Sequence, residues 1–181
     1  MKEWIGYYKK VVPNKVSQNI MNDNWEWKPS TYSTHDGLSP NSKNRVVMND
    51  CWVTEKMIYW QPLLNITKEV VKLYKEKHPY MKYYNPNRTT DFRLNKYSKG
   101  GLMTEHVDNI HHSHGQQYGY PSTSVLYFLN DDYEDGEIVI SDVMYKPEKN
   151  SAIIFPSNFM FPHYVNKITK GTRYSIVTWV M

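Results

Sequence analysis

The chain has 181 residues, of which 40% are hydrophobic and 22% charged, with a formal net charge of +4. These values fit one folded domain with a single core and exclude disorder throughout. No run approaches the roughly 18 apolar residues of a membrane span, and the first residues lack the apolar stretch of a secretory signal. A single cysteine, Cys51, excludes an internal disulfide and a cysteine-rich zinc site. We therefore expect a soluble, cytoplasmic protein without a membrane partner.

The basic residues are scattered along the chain rather than clustered. Lysines outnumber arginines by 18 to 4, and several stand beside glutamate, as at 75–77. A solvated surface explains this pattern better than a nucleic-acid interface, although the pI of about 8.9 would permit one. The richness in Lys and Asn, with one alanine, is typical of an AT-rich coding sequence and fits a viral or bacterial source. Because this chain uses arginine so rarely, an arginine at a given position is a stronger sign of a specific role than usual.

The first ninety residues predict a mixture of helices, loops and short strands. In chain order, the predicted elements are a strand at 4–12, a helix at 13–21, a loop with little regular structure at 23–44, a short strand at 45–53 and an amphipathic helix at 54–77. Pro62 is expected to kink or divide the last helix, and His78 with Pro79 to end it.

From residue 91 onwards the pattern changes to short apolar strands separated by turn signals. The predicted strands are 92–97, 124–129, 137–140, 152–155, 163–165 and 173–180, with Gly-containing turns at 99–101, 135–136 and 170–171. Six strands at this spacing indicate a sandwich or a double-sheet barrel. We therefore predict a single domain at 1–181, in which 91–181 form the core and 1–90 its helical and loop support.

His106 and Asp108 form the first candidate site. Side chains two residues apart on a strand point the same way, so this imidazole and carboxylate can hold one divalent metal. His163, at the start of another predicted strand, could supply a third ligand. Two histidines and one carboxylate form the facial triad of non-haem Fe(II) oxygenases, which leaves positions open for a cosubstrate and O₂. Alone, however, a His-x-Asp pair is more often a surface hydrogen bond, and a lone histidine more often a core residue.

The strand at 173–180 adds a second signal. Alternation places Arg173 on one face with Ser175, Val177 and Trp179, and an arginine that faces a β core is costly unless an anion meets it. A guanidinium is well suited to a carboxylate, because it can donate two parallel hydrogen bonds. The opposite alternation would turn Arg173 outward on an edge strand, and the residue alone leaves both orientations open.

Taken together, His106, Asp108, His163 and Arg173 in this order resemble the Fe(II)/2-oxoglutarate-dependent dioxygenases, most nearly their prolyl 4-hydroxylase-like branch. The resemblance covers 91–181, and its matching pieces are Tyr97, 106–109, 124–131, 136–137, 155–156, 162–163 and 171–175, with a ten-residue step from His163 to Arg173. It implies an α+β, mainly β fold with a double-stranded β-helix core of the jelly-roll or cupin-like kind, supported by N-terminal helices.

The resemblance also implies which residues bind the iron and the cosubstrate. The triad would hold Fe(II), and Arg173 would bind the distal carboxylate of 2-oxoglutarate, with a hydrogen bond to the same group from Tyr97 or Ser175. Ser124 stands where the family often adds another cosubstrate contact. Trp179 could line the substrate entrance, although a core position suits it equally well. The implied cofactors are Fe(II), 2-oxoglutarate and O₂, with ascorbate as an accessory reductant.

Two departures from the family pattern stand out. The family commonly has Gly-Gly-Glu-Thr-x-Phe after the third core strand, whereas this chain has Asp-Gly-Glu-Ile-Val-Ile at 135–140. Oxygen-sensing members favour a tyrosine where Phe128 stands, so a cosubstrate hydrogen bond from that position is absent here.

The predicted substrate is a prolyl residue of a peptide or protein. Nucleic-acid dealkylases of this superfamily carry a second arginine in an Arg-x-Asn-x-Thr-x-Arg pattern, and Trp179 stands where that arginine would be, so we expect no nucleic-acid partner. A free amino acid or small metabolite is the alternative substrate. A jelly-roll binding protein without turnover is the alternative class. The oligomeric state stays open.

The segment 109–120, with histidines at 111, 112 and 114, directly follows the candidate metal pair. One interpretation is a loop that meets the substrate, because loops beside a rigid site commonly do so. The other is a plain solvent-exposed connection. Cys51 is most simply a small core residue.

Overall fold

The computed structural model describes residues 1–34, 37–40, 43–108 and 121–181. The segment 109–120 lies outside the described residues, and so do both interpretations of its histidines. Among the residues that are described, no helix is long and apolar enough to cross a membrane.

The structure is built mainly from antiparallel strands, with two α-helices and two short 3₁₀ turns in the described ranges. The helices are α1 (Asn14–Asn22) and α2 (Trp60–Lys77), and the 3₁₀ turns are Lys2–Trp4 and Pro79–Tyr83. The strands are β1 (Gly6–Tyr8), β2 (Lys28–Pro29), β3 (Thr31–Thr34), β4 (Gly37–Pro40), β5 (Arg45–Val53), β6 (Phe92–His106), β7 (Thr123–Phe128), β8 (Glu134–Asp135), β9 (Ile138–Ile140), β10 (Val143–Tyr145), β11 (Ser151–Pro156), β12 (His163–Val165), β13 (Ile168–Lys170) and β14 (Arg173–Val180).

One curled sheet contains ten of these strands. Its order is β1-β11-β7-β14-β6-β12-β9-β10, and β5 pairs with the other edge of β6 and carries β2. Strand β6 is long enough to serve both halves of the sheet, because its first part pairs with β14 and its last residues pair with β12. The predicted mainly β fold with a double-stranded β-helix is confirmed.

The two faces of this sheet have different roles. The outer face packs against α2, where Leu63, Val70 and Tyr74 meet residues such as Tyr127 and Ile176 in the larger hydrophobic cluster. The inner face forms a second cluster. Because both faces of the central strands are covered, β7 is buried at every position rather than alternating between buried and exposed.

The first ninety residues contribute strands to the same sheet as well as helices. The predicted strand at 45–53 is confirmed as β5, which pairs with β6, and β1 pairs with β11. The strand predicted at 4–12 is shorter than expected, because Lys10 has φ 57° and ends the extended conformation soon after Tyr8. The segment 23–44, predicted as a loop, contains β2 and the antiparallel pair β3–β4, which a polar sequence without apolar alternation does not indicate.

The prediction that Pro62 kinks or divides a helix at 54–77 is wrong. Helix α2 begins at Trp60, so Pro62 lies in its first turn, where the backbone N–H groups need no partner within the helix. The first regular bond runs from Leu63 N to Tyr59 O at 3.1 Å. The helix ends at Lys77, as the following histidine and proline predict.

The turn expected at 99–101 lies inside β6. Gly100 has φ +89°, and the register between β5 and β6 shifts at this point. A β-bulge therefore replaces the turn, and β6 continues to the first candidate metal ligand.

Candidate metal and cosubstrate site

Strand pairing brings the two candidate histidines face to face. His106 ends β6 and His163 begins β12, and the two residues are direct partners in the register, with ring centroids 4.2 Å apart. Asp108 follows β6 by two residues. Its Oδ1 lies 3.7 Å from His106 Nε2, and its Oδ2 lies 3.5 Å from His163 Nε2. The three candidate ligand atoms all lie within 4.8 Å of one another, close enough to bind one ion.

Backbone carbonyls orient both imidazoles. His106 Nδ1 is 2.9 Å from the carbonyl oxygen of Thr104, and His163 Nδ1 is 3.1 Å from that of Phe161. Because a carbonyl oxygen only accepts, each Nδ1 must carry the proton, which leaves both Nε2 lone pairs free for a metal. Phe155 packs edge-on against the ring of His163 at 5.0 Å and restricts its rotation further.

The electrostatics of the cluster favour the protonation states that a metal requires. Burial, reinforced by the neighbouring His163, lowers the pKa of His106 to about 4, and Asp108 offsets part of this. Burial alone would raise the pKa of Asp108, but the two histidines and the Ser124 hydrogen bond lower it below its usual range. At neutral pH, His106 is therefore neutral and Asp108 ionised, and both can act as ligands.

Ser124 contacts one of the candidate metal ligands. Its hydroxyl donates to Asp108 Oδ2 at 2.6 Å and shares a 2.8 Å hydrogen bond with the hydroxyl of Ser157. The structure therefore gives Ser124 a role in fixing the carboxylate, whereas the sequence predicts a cosubstrate contact for it. Ser157, which the sequence does not single out, completes this pair. The buried indole N–H of Trp179 also lies near Asp108 and helps to lower the pKa of that carboxyl group.

Arg173 is a buried cation that needs an anion. Its side chain is 1% exposed, and its Nε, Nη1 and Nη2 have no hydrogen-bond partner among the described residues. The rings of Tyr97 and Phe128 flank the guanidinium at 4.9 Å and 5.2 Å from its Cζ. The two aromatic faces compensate the charge only in part. A guanidinium buried in this way is suited to binding a carboxylate. A metal site built only from Cys or His ligands would have no use for such a cation.

The other predicted cosubstrate residues lie beside Arg173. Tyr97 is its direct partner in the β14–β6 register and presents its ring to the guanidinium. Ser175 is buried two residues further along β14, on the same face as Arg173. The inward orientation of Arg173, which the sequence leaves open, is thereby decided.

Tyr133 is a residue near Arg173 that sequence reasoning missed. It is 7% exposed, packs against Tyr97 and Ile168, and its buried hydroxyl has no hydrogen-bond partner within the described ranges. The sequence places it in a turn between two predicted strands, where no periodic pattern indicates burial. Only the closure of the sheet brings it inward.

A second buried ionic group lies on β5 and β6. Arg93 donates from Nε and Nη2 to Asp50 Oδ2, and from Nη2 to Ser30 Oγ at 2.9 Å. Arg45 donates to the same hydroxyl at 3.2 Å. Burial, followed by the charge of Arg93, lowers the pKa of Arg45 to about 10. The sequence does not single out this group, because it is formed by residues far apart in the chain.

Aromatic residues flank the His-Asp-His cluster. Trp179 lies half-buried near Asp108, and its ring centroid is 6.5 Å from that of Trp52. Trp52 is 41% exposed, and Arg93 lies over its ring at 5.6 Å. The predicted position of Trp179 at an entrance is compatible with this pair, which connects the buried cluster to the surface.

The comparisons with known proteins agree with this geometry. A profile described as the 2OG-Fe(II) oxygenase superfamily matches residues 92–181. A PKHD-type hydroxylase from Rippkaea orientalis is 34% identical over 101 residues, which are 52% of this chain and 44% of that protein. The chain spans about half the length of the curated relatives it matches.

Solved structures share the fold at much lower identity. A prolyl-4-hydroxylase from Pseudomonas putida superposes with a TM-score of 0.71 and 14% identity, covering 98% of this chain and 91% of that one. A prolyl hydroxylase from Trichoplax adhaerens, solved in complex with a peptide fragment of a hypoxia-inducible factor, gives a TM-score of 0.72 and 16% identity, covering 99% and 84%. At these identities the likeness establishes the fold alone.

Proposed function

This chain belongs to the 2OG-Fe(II) oxygenase superfamily through residues 92–181, and we propose that it hydroxylates a prolyl residue of a peptide or protein. The observation that carries the proposal is the pairing of two features within one curled sheet. A His-Asp-His cluster can bind one metal, and a buried guanidinium without a partner in the described residues can bind a carboxylate. Because β1 and β5 lie in that same sheet, we also propose that 1–181 act as one domain.

In this proposal each group has a defined task. His106, Asp108 and His163 hold Fe(II), and Arg173 holds the distal carboxylate of 2-oxoglutarate. Bound together, the iron, the cosubstrate and O₂ supply the oxidising chemistry, with succinate and CO₂ released from the cosubstrate. The chain itself contributes orientation and the exclusion of water.

The peptide substrate is supported by two observations. The Trp52–Trp179 pair offers apolar aromatic faces beside the metal cluster, on which a pyrrolidine ring can pack. The Trichoplax hydroxylase of the same fold binds a peptide. Ascorbate is proposed only as a reductant that keeps the iron ferrous.

A free amino acid is the second candidate substrate, and Arg45 favours it. Arg93 already pairs with Asp50, whereas Arg45 has no ion pair with an acidic residue of the described chain. Arg45 also lies close enough to the metal cluster for the charge of Asp108 to act on its pKa. A free carboxylate on the substrate would provide Arg45 with an anion.

Cosubstrate turnover tests the enzyme class. Protein purified anaerobically is given Fe(II), 2-oxoglutarate labelled at C1 and O₂, and the release of labelled CO₂ is measured. Release is expected from the wild type and should be lost in His106→Ala. His78→Ala is the matched control, because His78 stacks on Trp4 within the outer layer, away from the cluster. No release from the wild type would favour a binding protein without turnover, and equal release from His106→Ala would show that the release does not come from this site.

Separate measurements test the assigned roles and the substrate. Arg173→Ala should weaken 2-oxoglutarate binding and leave Fe(II) binding intact; the reverse result would show that the roles are misassigned. Proline-containing peptides with blocked termini are then compared with free proline by mass spectrometry for the gain of one oxygen atom. Oxidation of blocked peptides supports the first candidate, and oxidation of free proline alone supports the second.

A further inference from the structure

A second unsatisfied polar group lies near Arg173. The Tyr133 hydroxyl is buried and, like the three guanidinium nitrogens of Arg173, has no hydrogen-bond partner within the described residues. Buried hydroxyls are rarely left without a partner, since the desolvation cost is large. Two such groups side by side point to one shared acceptor.

Tyr133 and Arg173 lie close together. Burial raises the pKa of Tyr133, and the nearby charge of Arg173 lowers it in part. The backbone enforces the approach, because a Cβ at Gly171, two residues before Arg173, would lie 3.1 Å from the Cα of Tyr133. Gly171 has φ +79°, which suits glycine.

Of the three aromatic residues near the guanidinium, Tyr97, Phe128 and Tyr133, only Tyr133 has a hydroxyl among the described buried groups that lack a partner. Phe128 has no hydroxyl and contacts Arg173 through its ring face. Tyr97 presents its ring face, with the guanidinium carbon 4.9 Å from the centroid, and the nearby Arg173 side chain offsets part of the rise that burial causes in the pKa of Tyr97. Both contacts occupy the flanks of the cation. The hydrogen-bonding edge of Arg173 remains available to a ligand, and the Tyr133 hydroxyl is the polar group beside it that also needs a partner.

We propose that the Tyr133 hydroxyl donates a hydrogen bond to the carboxylate bound by Arg173, and so forms the second half of the cosubstrate clamp. A carboxylate has two oxygens and about four acceptor sites, so it can accept from the guanidinium and the phenol together. Tyr133 is thus a cosubstrate-binding residue that favours a dicarboxylic cosubstrate over a monocarboxylic 2-oxoacid. This inference rests on the proposed function, because it names a further ligand of the same site.

The test measures binding and does not depend on turnover. Mn(II)-loaded protein is titrated with 2-oxoglutarate, and in parallel with 2-oxobutyrate, which lacks the distal carboxylate, by isothermal titration calorimetry. Tyr133→Phe should weaken 2-oxoglutarate binding about tenfold to a hundredfold, the loss expected for a hydrogen bond to a charged group. Binding of 2-oxobutyrate and of Mn(II) should not change.

Tyr127→Phe is the matched control. Tyr127 is also buried, but its hydroxyl bonds to Thr67 on the outer face of the sheet. This variant should be less stable and bind 2-oxoglutarate like the wild type, whereas Tyr133→Phe should retain its stability.

The outcomes separate the two proposals. If wild-type protein binds Mn(II) but not 2-oxoglutarate, the proposed function fails. If the wild type binds 2-oxoglutarate and Tyr133→Phe binds it equally well, the clamp inference alone is overturned. Equal losses for 2-oxoglutarate and 2-oxobutyrate would also overturn it, because they would indicate a general disturbance of the site.

Discussion

Replacing Arg173 with methionine should stabilise the protein in the absence of metal and cosubstrate, although it should abolish 2-oxoglutarate binding. Arg173 is almost fully buried, and its three nitrogens have no hydrogen-bond partner in the described part of the chain. Methionine is flexible and apolar, so it can occupy much of the same space without this desolvation cost. Buried ionic groups have often been replaced by apolar residues with a gain in stability.

The size of the gain follows from the contacts of the guanidinium. Each buried group left unsatisfied costs about 1–3 kcal/mol, and the three nitrogens together therefore cost several kcal/mol. Two cation–π contacts, with Tyr97 and Phe128, return up to about 2 kcal/mol each. The difference leaves a net gain of about 2 kcal/mol for Arg173→Met. In a chain of this length this raises the midpoint of thermal unfolding by about 4–8 °C.

Urea and thermal denaturation in the presence of a chelator measure this change directly. Arg173→Lys is the control, because it keeps a buried cation and should show no gain. Mn(II) with 2-oxoglutarate should raise the unfolding midpoint of the wild type beyond that with Mn(II) alone, and should give no such increment in Arg173→Met. A methionine variant less stable than the wild type would refute the reasoning, because it would show that the guanidinium stabilises the fold itself.

Three further predictions concern positions outside the site. Thr67→Val should lower the free energy of unfolding by about 1–3 kcal/mol, because it leaves the buried Tyr127 hydroxyl without its 2.6 Å partner. Adding Tyr127→Phe should recover part of this loss, as measured by urea denaturation. If the effects of the two substitutions are purely additive, the two side chains are not coupled. Gly171→Ala should cost about 1–3 kcal/mol, because φ is +79° and the new Cβ would lie 2.9 Å from the Asp132 carbonyl oxygen; an unchanged unfolding curve would show that the turn relaxes easily. Burial raises the pKa of Cys51 to about 12, so the thiol is almost entirely protonated at pH 8. Iodoacetamide should therefore modify Cys51 far more slowly in the folded protein than in the urea-unfolded chain, and mass spectrometry can follow both rates. Equal rates would show that the thiol is exposed.

The amino-acid sequence by itself determined the fold class and predicted the candidate metal ligands. Strand periodicity from residue 91 onwards indicated the β core, and the pattern of His106, Asp108, His163 and Arg173 pointed to one site. These features are either local in the sequence or shared by the members of the family, so they can be recognised without a structure. A strand's alternation and the chemistry of a facial triad do not depend on knowing which strands are neighbours.

The tertiary structure decided the inward orientation of Arg173 and the partners of the site residues. Ser124 contacts Asp108, which no pattern in the chain indicates, because the two residues meet only when β7 closes beside the end of β6. Pro62 fits into the first turn of α2, where a missing N–H costs nothing. Tyr133 turns inward because the sheet curls around Arg173. Contacts between distant segments arise from closure of the sheet, and closure is a property of the whole fold that local sequence does not encode.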